Sequence, residues 1–128
     1  MDPQQELFTK IKKELENKGY SVYDGFMPPD KTPYPFIFLG EFQQIDDNSN
    51  KTAILGNIFA TVHVWHNNPM QRGTMSKILL DIKRVCRSLN QTVNFKWSVR
   101  SIDQRILADD TTKTPLMHGI LDVEFKFC

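Results

Sequence analysis

Leu55-Gly56-Asn57-Ile58-Phe59-Ala60-Thr61-Val62-His63-Val64-Trp65-His66 is the longest run in the chain with the period of a β-strand. Ile58, Ala60, Val62 and Val64 share one face and are purely aliphatic, so another part of the chain must cover them. Phe59, Thr61, His63 and Trp65 share the other face, where aromatic and polar groups mix. The fold follows from what covers each face.

The aliphatic face has an obvious cover. Met75, Ile78, Leu79, Ile82, Val85, Cys86 and Leu89 form an amphipathic helical stripe over about four turns. Lys77, Asp81, Lys83, Arg84 and Arg87 fall on the opposite side, and Thr74 is placed to cap the helix. Burying the stripe contributes roughly ten or more kcal/mol before chain entropy is subtracted. Asn67 to Gly73 breaks the strand from this helix.

Upstream, Asp2 can cap a first helix over about residues 3–18, with Pro3 at its first position. Gln5 sits where a capping-box side chain would reach back. Leu7, Phe8, Ile11 and Leu15 mark its apolar face, and Gly19 is a natural terminator. Ser21 to Phe26 reads as a short strand and turn. Four prolines between Met27 and Pro35 then make an extended connector that can continue neither a helix nor a central strand. Phe36-Ile37-Phe38-Leu39 is apolar on both faces and starts a buried strand, whose continuation from Gly40 to Gln44 becomes polar and is expected to leave the core. Ile45 to Thr52 is a turn-rich loop that makes the opening strand a hairpin partner of the one before.

Downstream, Val93, Phe95, Trp97 and Val99 share one register, whereas Ile102 and Ile106 fall in the other. A change of parity needs a bulge, placed here near Arg100-Ser101. Ala108 to Met117 is a second hairpin loop. In the last strand, Gly119 to Cys128, Leu121, Val123, Phe125 and Phe127 point inward. The expected fold is α+β: a mainly antiparallel β-sheet with two amphipathic helices packed on one face, in a single domain over residues 1–128.

Composition bounds the function. The chain has 128 residues, 40% hydrophobic and 24% charged, as in an average globular protein. Sixteen basic against fifteen acidic residues give a charge of +1, without the basic excess of a dedicated nucleic-acid binder. No apolar run approaches the roughly 18 residues of a membrane span. The polar, acidic start is not that of a signal peptide, which leads us to expect intracellular synthesis. The two cysteines, Cys86 and Cys128, are read as free.

No motif points to catalysis, and no cofactor is expected. His63 and His66 are three apart on a strand and face opposite ways, so they cannot chelate a metal without a bend. Pro29-Asp30 with Glu124 and Lys126 faintly resembles a metal-dependent nuclease pattern, but the pieces are far apart and the first lies in the proline-rich connector. Asp46-Asp47 and Asp109-Asp110 sit in loops where solvated turn acids are the plain reading. No serine is in a nucleophile-elbow setting and no glycine-rich phosphate loop exists. The aromatic face says more. Phe59 and Trp65, with Phe42 or Trp97 as neighbours, present apolar surface that is covered by the first helix or the proline-rich connector, or else is an interaction surface, most economically for another copy of the chain.

Several strings carry a resemblance, in order and over about residues 5–127. They are Val22-Tyr23-Asp24-Gly25, Thr32-Pro33-Tyr34-Pro35-Phe36-Ile37-Phe38-Leu39-Gly40-Glu41, Val62-His63-Val64-Trp65-His66, and His118-Gly119-Ile120-Leu121-Asp122-Val123-Glu124-Phe125. Together they resemble the tail-completion, or tail-terminator-like, proteins of long-tailed bacteriophages. That family carries no catalytic motif, so no functional residue transfers. The resemblance implies a structural protein of the virion, assembled in the host cytoplasm. It would form a ring, commonly hexameric, that caps the head-proximal end of the tail tube and joins it to the head connector. The expected partners are the chain itself, a tail-tube protein and a head-connector protein, with no membrane. Phe59 and Trp65 are then the candidate subunit interface. Asp46, Asp47, Lys51, Asp109, Asp110 and Lys113 are the candidate partner-contact residues in the loops. Lys83, Arg84 and Arg87 could line a passive DNA passage, although a solvated helix face is the plainer reading. The alternatives are a non-catalytic adaptor that binds a single protein partner, and a small enzyme assembled from the acidic loops.

Overall fold

In the computed structural model, which describes residues 2–29, 31–48, 55–109 and 115–128, the elements run α1 (Pro3–Asn17), β1 (Val22–Asp24), β2 (Phe36–Asp46), β3 (Gly56–His66), α2 (Arg72–Ser88), β4 (Trp97–Asp109) and β5 (Leu116–Phe127). One five-stranded sheet has the order β1-β2-β3-β5-β4. Every pairing is antiparallel except that of β1 with β2. This is the expected α+β fold. The opening strand β3 lies at its centre.

Asp2 caps α1 by accepting from the Gln5 amide at 2.8 Å. The Gln5 side chain does not reach back as expected; its amide donates to Thr9 Oγ1 at 3.1 Å, one turn on. Leu7, Ile11 and Leu15 are fully buried, and Phe8 meets Phe42 edge-on at 5.6 Å. Gly19, at φ +94°, ends the helix. Glu6 is buried too, and its carboxylate accepts from the Asn94 amide at 3.1 Å and from Asn94 Nδ2 at 2.6 Å. This clamp ties the start of α1 to the turn before β4.

The α2 stripe is buried at all seven positions, against the aliphatic face of β3. Thr74 is not its cap. The helix starts two residues earlier, and the Thr74 hydroxyl lies within the first turn, donating to Gln71 Oε1 at 2.9 Å. Asp81 does not face solvent either. It accepts a 2.5 Å hydrogen bond from the Tyr20 hydroxyl and ties α2 to the segment that follows α1.

Three strand boundaries differ from the sequence reading. β2 runs on to Asp46, because β3 continues to pair with it, so Ile45 and Asp46 belong to the strand and not to the loop. Likewise Ala108, Asp109, Leu116 and Met117 are strand residues rather than loop. Val93 is not in a strand: a tight turn, with Thr92 N–H donating to the Phe95 carbonyl at 2.9 Å, leaves it 89% exposed. The bulge in β4 falls between Val99 and Ser101, as the parity change required. β2 carries a second bulge, Gly40-Glu41 opposite Thr61.

Candidate interaction surface

Both helices pack on the side of the sheet to which β3 turns Ile58, Ala60, Val62 and Val64, each at most 1% exposed, with α2 on β3 and α1 on β1 and β2. Among the described residues, no helix lies on the opposite face. Phe42 and Trp97, expected beside Phe59 and Trp65, are on the helix side instead. Phe42 pairs with Ala60 and packs on Phe8, while Trp97 is buried against Phe125 and Phe127. Strand register decides this, since a residue opposite an inward-facing one faces inward as well.

The open face has two distinct parts. At one end Phe36, Trp65 and His118 lie side by side on β2, β3 and β5. The Trp65 indole stacks on the His118 imidazole with ring centres 3.7 Å apart and planes 10° off parallel. His118 Nε2 lies 2.8 Å from His63 Nδ1, so one imidazole donates to the other. Tyr34 from the connector and Tyr23 from β1 cover Phe36 at ring-centre distances of 5.3 and 5.7 Å. The connector thus covers part of this aromatic end, and α1 covers none of it.

Burial holds both imidazoles in the neutral form. It pushes His118 down to about 4, helped by His63 and Arg105 and opposed by Asp109. Burial also lowers His63, against the pull of Asp122 and Glu41. A groove of about 590 Å³ opens beside His63, where the β2 bulge turns the chain and Gly40 leaves room for the ring. Arg105, Asp122 and Glu41 line its polar side.

The other part is a polar ladder. Thr61 donates to Asp122 at 2.8 Å, and Asn57 donates to Glu124 at 2.6 Å. Phe59 stands among these groups, paired with Gln43 and Glu124 and 39% exposed. Six strand positions separate it from Trp65, about 20 Å. The two candidate interface residues therefore share a face without touching. Phe59 is open, whereas Trp65 is engaged with His118.

The acidic loops lie at opposite ends of the sheet. The β2–β3 turn adjoins Gly56, which pairs with Phe127, whereas the β4–β5 turn adjoins Leu116, next to the pair His66 and Met117. The strands between span about 33 Å, so Asp46 and Asp47 do not meet Asp109 in one site. Asp46 accepts from Gln44 at 2.7 Å, the Asp47 amide donates to the Leu55 carbonyl at 2.9 Å, and Asp109 closes β4 opposite Leu116. Lys51, Asp110, Lys113 and Asp30 lie outside the described residues. Glu124 of the nuclease-like pattern is held by Asn57 and Ser101. Among the described residues, no three His, Cys, Asp or Glu side chains converge on a metal position, and no helix is long and apolar enough to cross a membrane.

Sequence reasoning missed the His63–His118 pair, because 55 positions separate the two and only the β3–β5 register joins them. It also missed the β2 bulge. There a signal existed: inward Ile37 and Leu39 are odd-numbered and inward Phe42 is even, the same change of parity that located the bulge in β4.

The arrangement defines a class: a two-layer α+β protein whose sheet is packed on one side and open on the other. No family model matches the chain, and no curated protein matches it in sequence. Its fold is similar to that of a chain from the virion of a native gene transfer agent particle, with TM-score 0.62 and 12% identity over 97% of this chain and 94% of that one. A second solved chain shares the fold, with TM-score 0.59 and 13% identity over 100% of this chain and 97% of the other. At such identities the likeness is one of fold.

Proposed function

We propose that this protein is a non-enzymatic structural component of a phage-like virion, a single tail-completion-like domain. In this reading it forms a ring at the head-proximal end of the tail tube and joins the tail to the head connector. The observation that carries the proposal is the fold likeness over nearly the full length of both chains to a component of a gene transfer agent virion. The open sheet face supports it, since a half-exposed Phe59 beside a groove suits contact with another protein surface. The tail-tube and head-connector proteins are the partners in this reading, with assembly in the host cytoplasm.

The test is removal of the chain from an assembling particle. Filled heads and finished tails should accumulate unjoined, and adding purified protein should join them. Particles that join normally without it would refute the role. For the ring itself, Phe59→Ser should leave a folded chain that no longer forms rings on tails in negative-stain images. Rings that persist would remove Phe59 from the subunit contact.

A further inference from the structure

The two edges of the sheet are treated differently. On one side β1 is only three residues long, and beyond it the side chain of Gln4 donates to the Phe42 carbonyl at 3.0 Å, filling part of the free edge of β2. On the other side β4 is a thirteen-residue edge strand, and among the described residues no element pairs with its outer side. A long uncovered edge presents a row of backbone donors and acceptors to any strand that fits.

The sequence along this edge fits itself. Ile102-Asp103-Gln104-Arg105-Ile106 is symmetric about Gln104 in chemical character. An antiparallel copy related by a two-fold axis at Gln104 places Ile102 opposite Ile106, and Asp103 opposite Arg105, twice over. The faces agree as well. Ile102 and Ile106 lean against the helix-side core, while Asp103 and Arg105 stand on the open face.

The isolated chain also carries a charge imbalance that such a partner removes. Asp103 lies directly opposite Asp122, a like-charge pairing that is unfavourable between neighbouring strands. Arg105 reaches Asp122 at 3.6 Å, and among the described residues Asp103 has no ion pair. A guanidinium has donors enough for two carboxylates, so each Arg105 can keep Asp122 of its own chain and take Asp103 of the other.

We propose that the free chain forms a two-fold dimer by antiparallel pairing of β4 with β4 of a second copy, centred on Gln104, which joins two five-stranded sheets into one. This contact is isologous and closed, so it cannot by itself build a cyclic ring. It does not depend on the virion reading. It describes how the unassembled protein protects its exposed edge, leaving the open face free.

Sedimentation equilibrium of the purified chain tests the dimer, and charge reversal tests the register. Asp103→Arg and Arg105→Asp should each weaken the dimer about tenfold or more, because each sets like charges opposite one another twice. The double variant Asp103→Arg/Arg105→Asp should restore it, since the opposite charges then meet again. Circular dichroism should show all three folded, as both positions are exposed. Gln104→Cys in a Cys128→Ser background should form a disulfide-linked dimer under mild oxidation, because directly opposed Cα atoms lie within disulfide reach. Ser98→Cys in the same background, beyond the bulge, should not. A wild-type chain that is monomeric at the highest attainable concentration overturns the proposal. So does a dimer indifferent to the single reversals, a double variant that stays monomeric, or a cross-link at Ser98 and not at Gln104.

Discussion

Ile58 and Phe59 are neighbours on β3, yet the first is fully buried and the second 39% exposed. The same alternation runs the length of β3, whereas Phe36 and Ile120, on the open side of β2 and β5, are buried. On the helix side, α1 packs on β1 and β2 and α2 on β3, β4 and β5, and the apolar side chains leave water almost completely. On the open side, stability comes from cross-strand pairs: Trp65 on His118, Thr61 on Asp122, Asn57 on Glu124. The lesson is one of division of labour within a strand. One face holds the fold together, and the other is free to be spent on recognition.

The sharpest way to break this comparison is to truncate both neighbours. Ile58→Ala should destabilise the protein by about 3 kcal/mol in chemical denaturation, because it leaves a cavity in the core. Phe59→Ala should cost less than about 1 kcal/mol, since its ring is already half in water. Comparable losses would mean that the open face is part of the core after all.

Two glycines give the next contrast. At Gly56 an added methyl would run into the Ile45 carbonyl oxygen and the Phe127 ring, so Gly56→Ala should cost about 2 kcal/mol by forcing backbone to move. At Gly40 the atom met first is His63 Nε2, at 2.8 Å, the end of a side chain that can swing into the groove. Gly40→Ala should therefore lower the melting temperature less than Gly56→Ala, while disturbing the His63–His118 bond in NMR spectra.

Tyr20, just past the end of α1, is tied to Asp81 on α2. Burial and the bond to Asp81 push the phenol up to about 12. That bond in turn lowers the Asp81 carboxyl, with help from Lys77. Tyr20→Phe should cost about 1 kcal/mol, the net worth of one hydrogen bond to a partly screened carboxylate. A neutral result would show that Lys77 and water replace the phenol.

The last contrast concerns pH. His118 titrates near 4 in the folded chain and near the ordinary histidine value of about 6.5 when unfolded. Above about pH 6.5 both states are neutral and the contribution is level. As pH falls from there toward 4, the unfolded chain takes a proton that the folded chain resists, so stability declines. Comparing denaturation of the wild type and His118→Gln at pH 8 and pH 5 should show the steeper decline in the wild type. Equal slopes would mean that His118 is not held neutral.

How much of this was legible beforehand depends on the range of the interaction. The α2 stripe from Met75 to Leu89, the alternation in β3 and β5, and the bulge near Arg100 all rest on periodicity within one element, and the structure has them where the sequence puts them. Boundaries fared worse. Ile45 and Asp46 remain strand because a neighbour pairs with them, whereas apolar Val93 leaves it because a turn intervenes. The candidate surface was visible only as a composition, an aromatic and polar face on β3.

By itself, the sequence determined which residues share a face of each helix and strand, because that follows from backbone geometry of fixed period. Only the tertiary structure decided which faces meet. Register placed His118 between Trp65 and His63, sent Phe42 and Trp97 to the helix side, and parted the acidic loops to opposite ends of the sheet. Strand order left β4 at the edge with its symmetric stretch exposed. These outcomes depend on pairings between residues tens of positions apart, where a shift of one residue reverses every side chain, and no local pattern encodes that choice.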